Sequence, residues 1–203
     1  MRHSRAGFTL IELLVVIAVS AFLTTLVVAY SSTSRNQVSL SVQTTALAGL
    51  LARAKSLSVA TYQNPAGGAI HICAYGVSFD LAGGTYSLVA YGVAAGLSCP
   101  DAATLGASGV PGDALHEYDV STWQTPLANG LKFETTGASG DALALVLFYP
   151  PDPATLVSRS VCTPGDGDCT YQFIPPPGAI YLVTTDGSAQ QTIAVGAAGQ
   201  IGW

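Results

Sequence analysis

Apolar residues crowd the start of the chain. Residues 8–30, FTLIELLVVIAVSAFLTTLVVAY, form a run of 23 with one acid, Glu12. At ~1.5 Å rise per residue, a helix of that length crosses a ~30 Å hydrocarbon core. Beyond it the pattern changes rather than stops. Leu47, Leu50, Leu51, Ala54 and Leu57 recur at the 0, 3, 4, 7, 10 spacing of one helical face. No proline or strong breaker intervenes before Asn64-Pro65 and Gly67-Gly68. The spacing therefore predicts one rod from Phe8 to about Thr61, roughly 80 Å long. Its first half faces lipid or other subunits. Its second half presents a single greasy stripe, which needs a sheet to cover it.

Strand patterns follow. Residues 69–80 and 85–92 are β-rich and are separated by Leu81-Ala82-Gly83-Gly84, which reads as a hairpin. Residues 131–135 and 142–149 are further candidates, and LALVLFY is apolar enough to be buried on both faces. Residues 171–174, 180–184 and 191–195 close the series, with Asp186-Gly187 as a tight-turn signal. Residues 98–111 and 150–164 read as loops. The fold class expected is α+β: a long N-terminal helix, membrane-spanning in its first half, packed on an antiparallel β-sheet or sandwich ectodomain. The expected organisation is a leader at 1–7, the transmembrane half of the helix at 8–30, its distal half at 31–61 and a β-rich ectodomain at 62–203.

Composition sharpens this division. Only 9% of the 203 residues are charged, against ~25% in ordinary soluble domains, while 49% are hydrophobic and 22 are Gly. The length suits one compact domain plus an added element, not two catalytic domains. The apolar content excludes disorder. With a net charge of −5, the chain lacks the clustered cations that phosphate neutralisation needs, so nucleic acid is not an expected partner. Arg2 and Arg5 precede the apolar run without an acid. The positive-inside tendency keeps that end cytoplasmic and puts everything after Tyr30 across the membrane. A cleaved secretory signal also has a basic start and small residues such as Ser20 and Ala21, but this apolar stretch is too long and carries an acid in its fifth position.

Gly7-Phe8-Thr9-Leu10-Ile11-Glu12 closely resembles the type IV prepilin class, whose members share G-F-T-L-x-E ahead of an apolar helix. The resemblance implies cleavage between Gly7 and Phe8 by a prepilin peptidase on the cytoplasmic face, then methylation of the Phe8 amine. Glu12 becomes the fifth residue of the mature chain. The physics of the site is compatible with this. A carboxylate in lipid costs up to ~3 kcal/mol, and the amine of Phe8 on a neighbouring subunit can neutralise it, turning a costly residue into an assembly register. Toward the carboxy-terminus, Phe173-Ile174-Pro175-Pro176, Ile180-Tyr181-Leu182, Thr192-Ile193-Ala194-Val195 and Gly199-Gln200-Ile201 look like the closing strands of the GspH/FimT group of minor pseudopilins. Tyr75 to Phe79, YGVSF, is similar to that group's first strand region. DNA-binding members carry arginines near the carboxy-terminus. Here that end, GAAGQIGW, has none.

Cys73, Cys99, Cys162 and Cys169 all follow the membrane segment, in what should be an oxidising compartment, and suggest two disulfides. Three connectivities are possible. The favoured one joins Cys162 with Cys169 across CTPGDGDC, a bridge of ~2 kcal/mol, and leaves Cys73 with Cys99. Zinc competes poorly, because there is no CxxC pair and only His71 and His116 could assist. Asp166 and Asp168 offer hard oxygens to calcium, but no terminal Glu follows and a solvated turn is the default. Asp113, Glu117 and Asp119 near His116 lack a nucleophile or paired partner and read as an exposed loop. Tyr171, Phe173 and Tyr181 suit sheet packing. No catalytic residue, metal or cofactor is expected.

The function expected is structural: a minor pseudopilin of a type II secretion system, with a minor pilin of a type IV pilus as the alternative. Its partners would be the prepilin peptidase, other pseudopilins or pilins, and the bacterial inner membrane, crossed once with the C-terminal domain in the periplasm before entry into a filament. A DNA or surface-ligand receptor is the competing class. After cleavage, Arg35, Arg53, Lys55, Lys132 and Arg159 face 12 acids, a balance of −7 that disfavours DNA.

Overall fold

The computed structural model describes residues 9–63, 70–94, 96–101, 116–119, 124–134, 143–150, 154–162, 169–174 and 176–203; the side chains at 28–33, 62–63, 70, 116–119, 160–162 and 169–172 lie outside that description. One helix, α1 (Leu10–Gln63), runs for 54 residues, which at 1.5 Å each is about 80 Å. Its stretch Leu10–Val27 is long and apolar enough to cross a membrane and none of it is buried against the rest of the chain. Burial begins at Leu40 and continues through Thr44, Leu47, Leu51, Ala54 and Ser58. The predicted stripe is thus the inward face. Each fully buried Leu on it contributes roughly 1.5–3 kcal/mol of apolar transfer.

Eleven strands follow among the described residues: β1 (Ile70–Asp80), β2 (Thr85–Ala94), β3 (His116–Asp119), β4 (Thr125–Pro126), β5 (Leu131–Phe133), β6 (Leu143–Tyr149), β7 (Ala154–Cys162), β8 (Cys169–Ile174), β9 (Gly178–Thr184), β10 (Gln190–Val195) and β11 (Ile201–Gly202). They form two antiparallel sheets. The larger has the order β3-β2-β1-β6-β7-β8, with β4 also on β2, and the smaller has the order β11-β10-β9-β5. The α+β expectation holds. The inner faces of both sheets meet α1 in one core containing Leu47, Leu51, Val77, Phe79, Phe133, Val146, Phe148, Leu182 and Ile193. Ser58 fastens helix to sheet by donating its hydroxyl to the Phe148 carbonyl at 2.7 Å. Where the sheets approach, a Cβ on Gly178 would lie 2.7 Å from the Leu143 side chain, so a larger residue would require that side chain to shift.

Every residue of β6 is buried, as its unbroken apolar run implied. Its second face belongs to a separate apolar layer with Ala74, Val89, Tyr91, Val93, Leu145 and Leu147. A strap, residues 96–101, is held to this sheet by the Cys73–Cys99 disulfide, with Cα atoms 5.5 Å apart. The β1 register slips between Ile72 and Ala74, and the resulting bulge takes Cys73 out of the ladder. Closing a loop with a sequence separation of 26 stabilises the fold by about 3 kcal/mol in the chain-entropy view. The Tyr149 hydroxyl donates to the Pro100 carbonyl, a second fastening of the strap.

Two expectations need correcting. Residues 150–164 are not all loop, because β7 occupies Ala154–Cys162 and pairs with both β6 and β8. ATLVSRSVC has no apolar/polar alternation and follows prolines at 150, 151 and 153, so its strand signal is only the β-branched Thr155, Val157 and Val161. His116, Glu117 and Asp119 are not loop residues either. They lie on β3, where Gly92 pairs with His116 and Val89 with Asp119. Asp113 lies outside the described residues, and so do the side chains of His116, Glu117 and Asp119.

Candidate assembly site

Of the residues singled out for processing and assembly, Glu12 sits in the first turn of α1. Gly7 and Phe8 lie outside the described residues. Thr9 caps the helix: the Glu12 N–H donates to the Thr9 carbonyl at 3.1 Å and lies 3.4 Å from its hydroxyl oxygen, and the Leu13 N–H reaches the same carbonyl at 3.3 Å. Thr9-x-x-Glu12 is thus the T-x-x-E pattern of a capping box, which pairs a helix start with an acid three residues in. The acid also lies in the first turn, where the helix dipole favours negative charge. This second role for Glu12 is readable in the sequence, although the argument from lipid cost alone passes over it.

Glu12 is exposed, and no described residue of its own chain pairs with its carboxylate. Leu10, Ile11, Leu13, Leu14, Val15, Val16 and Ile17, all around it, are also exposed. The carboxylate thus lies on an apolar surface that the described residues leave uncovered. The polar residues deeper in the span are different. Thr24 donates its hydroxyl to the Ser20 carbonyl at 2.8 Å and Thr25 to that of Phe22 at 2.7 Å, so these groups are satisfied within the helix itself. Glu12 is left as the span's single charged side chain, and a neutralising group has to come from elsewhere.

The cysteines fall in two places. Cys73 and Cys99 are joined as favoured. Cys162 and Cys169 stand directly opposite each other where β7 meets β8, at the mouth of the hairpin whose tip, with Asp166 and Asp168, lies outside the described residues. Phe173 and Tyr181 are half-buried on β8 and β9, consistent with sheet packing. Among the described residues no group of three or more His, Cys, Asp or Glu side chains could hold a metal.

On the solvent side, the β9–β10 turn is tied back to the helix where α1 enters the ectodomain. Asn36 donates its amide to Asp186 at 3.3 Å, while the Ser188 N–H and hydroxyl donate to the same carboxylate at 3.0 and 2.7 Å. The Thr184 hydroxyl and these partners hold the Asp186 carboxyl well below the usual carboxylate range. Farther along, Lys55 donates to the carbonyls of Ala198 and Gly199, at 3.4 and 3.0 Å, which moors the β10–β11 loop. These ties fasten α1 to the loops on either side of β10.

Residues 2–28 match the family described as the prokaryotic N-terminal methylation motif. No curated protein and no solved structure matches the chain. The chain therefore carries a type IV pilin-like prepilin motif on an N-terminal apolar helix.

Proposed function

We propose that this protein is a minor pseudopilin of a type II secretion system. In this reading it is cut between Gly7 and Phe8, methylated on the Phe8 amine and packed by its helix into a periplasmic filament that serves protein export. The carrying observation is the helix itself. A prepilin motif heads 54 continuous helical residues, of which Leu10–Val27 are wholly exposed and the distal half forms the ectodomain core. A simple membrane anchor has no need of a rigid connection into the core. A subunit that transmits axial displacement does. The pilin-like motif supports a structural rather than an enzymatic role, with the prepilin peptidase and other pilin-like subunits as partners and the inner membrane as the site of insertion. Glu12 sets the register by pairing with the Phe8 amine of the adjacent subunit, which supplies a neutralising charge that the described residues of its own chain do not.

The test is deletion of the gene, scored side by side for release of extracellular enzymes and for surface fibres with twitching or DNA uptake. Loss of secretion with intact fibres is the expected result. Loss of fibres or uptake with intact secretion would make the protein a minor pilin of a type IV pilus instead. Replacing Gly7 by a bulkier residue should leave MRHSRAG on the protein, which intact-mass spectrometry would detect.

A further inference from the structure

Three asparagines occur in the chain, Asn36, Asn64 and Asn129, and their surroundings differ. Asn64 precedes Pro65, whose nitrogen carries no proton, so no backbone nucleophile follows it. Asn36 lies inside α1 with its amide donated to Asp186 at 3.3 Å, and the N–H that follows it is fixed in helical geometry. Asn129 is exposed in the turn ahead of β5, and the next residue is Gly130 at φ +86°. Among the described residues neither the Asn129 side-chain amide nor the Gly130 N–H makes a hydrogen bond. Gly130 also has no Cβ to crowd the approach of its nitrogen to the Asn129 side chain. Electrophile and nucleophile are thus adjacent, unengaged and open to water.

The neighbourhood gives this position its consequence. The Gly130 carbonyl accepts the Thr185 N–H at 2.8 Å, a bond that fixes the start of β5 against the β9–β10 turn. On its other side, a Cβ built on Gly130 would lie 3.6 Å from Oδ1 of Asn36, the residue that ties α1 to Asp186. The Asn129-Gly130 peptide therefore sits where α1 enters the ectodomain. An Asp-Gly pair lies close by, Asp186-Gly187, with its glycine also at positive φ, +70°. That pair is protected. The Asp186 carboxylate is engaged by Asn36 and Ser188 and held well below the usual carboxylate range, so it stays ionised and is a poor electrophile.

We propose that Asn129-Gly130 is a self-modification site, which converts without an enzyme to aspartate and isoaspartate and thereby loosens the β9–β10 turn from β5. The Gly130 nitrogen attacks Cγ of Asn129 and a C–N bond forms. The Cγ–Nδ2 bond breaks, the proton of the attacking nitrogen passes through solvent to the leaving group, and ammonia departs. Water then opens the five-membered imide at either carbonyl. One product has a carboxylate side chain at residue 129; the other, isoaspartate, has one more methylene in the main chain. Both add a negative charge to the turn that faces Thr185 and Asp186, and the lengthened chain also shifts the Gly130 carbonyl away from the Thr185 N–H. This chemistry is independent of the filament reading and does not rest on it.

The experiment uses the full-length protein in detergent micelles, aged in mildly alkaline buffer made with heavy-oxygen water. Peptide mapping should find the heavy oxygen and both isomers at residue 129, formed faster as pH rises because the attacking nitrogen has to lose its proton. Conversion at Asn36 and Asn64 in the same sample should be lower by about ten-fold or more, since neither is followed by a free glycine nitrogen. In the aged protein, hydrogen-exchange protection of the Thr185 amide should fall about ten-fold as the turn opens locally. Asn129→Gln, whose longer side chain has to close a six-membered ring, should keep that protection over the same period. An Asn129 left unchanged by an ageing that converts it in the denatured chain would overturn the proposal, because the fold would then shield the site. Equal conversion at Asn36, or full conversion with Thr185 protection unaltered, would overturn it as well.

Discussion

Glu12 has two jobs at the residue scale, and they can be separated by substitution. As the third residue of the helix it carries the acid of the T-x-x-E pattern, and in the function proposed above its charge pairs with another subunit. Glu12→Ala should leave cleavage after Gly7 intact and strongly reduce incorporation into filaments, measured as the ratio of sheared to membrane-bound protein. Glu12→Gln keeps the side chain's size and the backbone hydrogen bonds to Thr9 while removing the charge, so an equal loss of incorporation would assign the effect to the charge. Tyr149 is the other telling residue. Burial first, and then the nearby Asp101 carboxylate, push its phenol up to about 12. The folded-state value lies above the unfolded one, so the contribution to stability is fully present below pH ~10 and is lost as pH rises from there through about 12. Burial also raises the Tyr86 phenol, so phenolate absorbance should show a late-ionising component accompanying unfolding that Tyr149→Phe reduces.

At the scale of elements, α1 owes its place in the fold to a narrow stripe. Leu51 is fully buried between the sheets, and Leu51→Ala should cost about 2–5 kcal/mol in a denaturant melt through lost transfer energy and the cavity left behind. The same substitution at Val42, on the exposed face, should change stability little. The β7–β8 hairpin offers a separate test. Its register sets Cys162 against Cys169, so we expect a second disulfide there; non-reducing peptide mapping should find these two cysteines in one linked fragment. The prolines that hid β7 from sequence reasoning lie at 150, 151 and 153, before the strand begins at Ala154. Proline there ends one ladder segment without entering the next.

For the whole molecule, the division of labour along α1 is the organising feature. The exposed Leu10–Val27 stretch contributes no burial to the ectodomain, whereas the inward stripe that begins at Leu40 does. A chain beginning at Ser34 should therefore fold as a soluble domain, keeping the Asn36–Asp186 tie and a melting temperature within a few degrees of that of the full-length protein in detergent, as calorimetry would measure. Such a fragment should be unable to enter a filament, because it lacks both Phe8 and Glu12.

The prepilin motif, the membrane-length run, the continuous helix with its inward stripe, and most strands were legible in the sequence because each rests on local periodicity, on contiguous residues or on turn chemistry within a few positions. The motif GFTLIE, and the spacing from Leu47 to Leu57, need no knowledge of what packs against them. Which of three cysteine pairings forms depends on a bulge that takes Cys73 out of the β1 ladder and on a strap that brings Cys99 to it; the spacing alone only favoured that pairing. The division of the strands into two sheets around one core, the edge position of β3 and the second apolar layer under residues 96–101 likewise required the tertiary structure. So did the setting of Asn129-Gly130. The dipeptide is contiguous in the sequence, but its place beside the Asn36–Asp186 tie is decided by contacts between residues far apart along the chain.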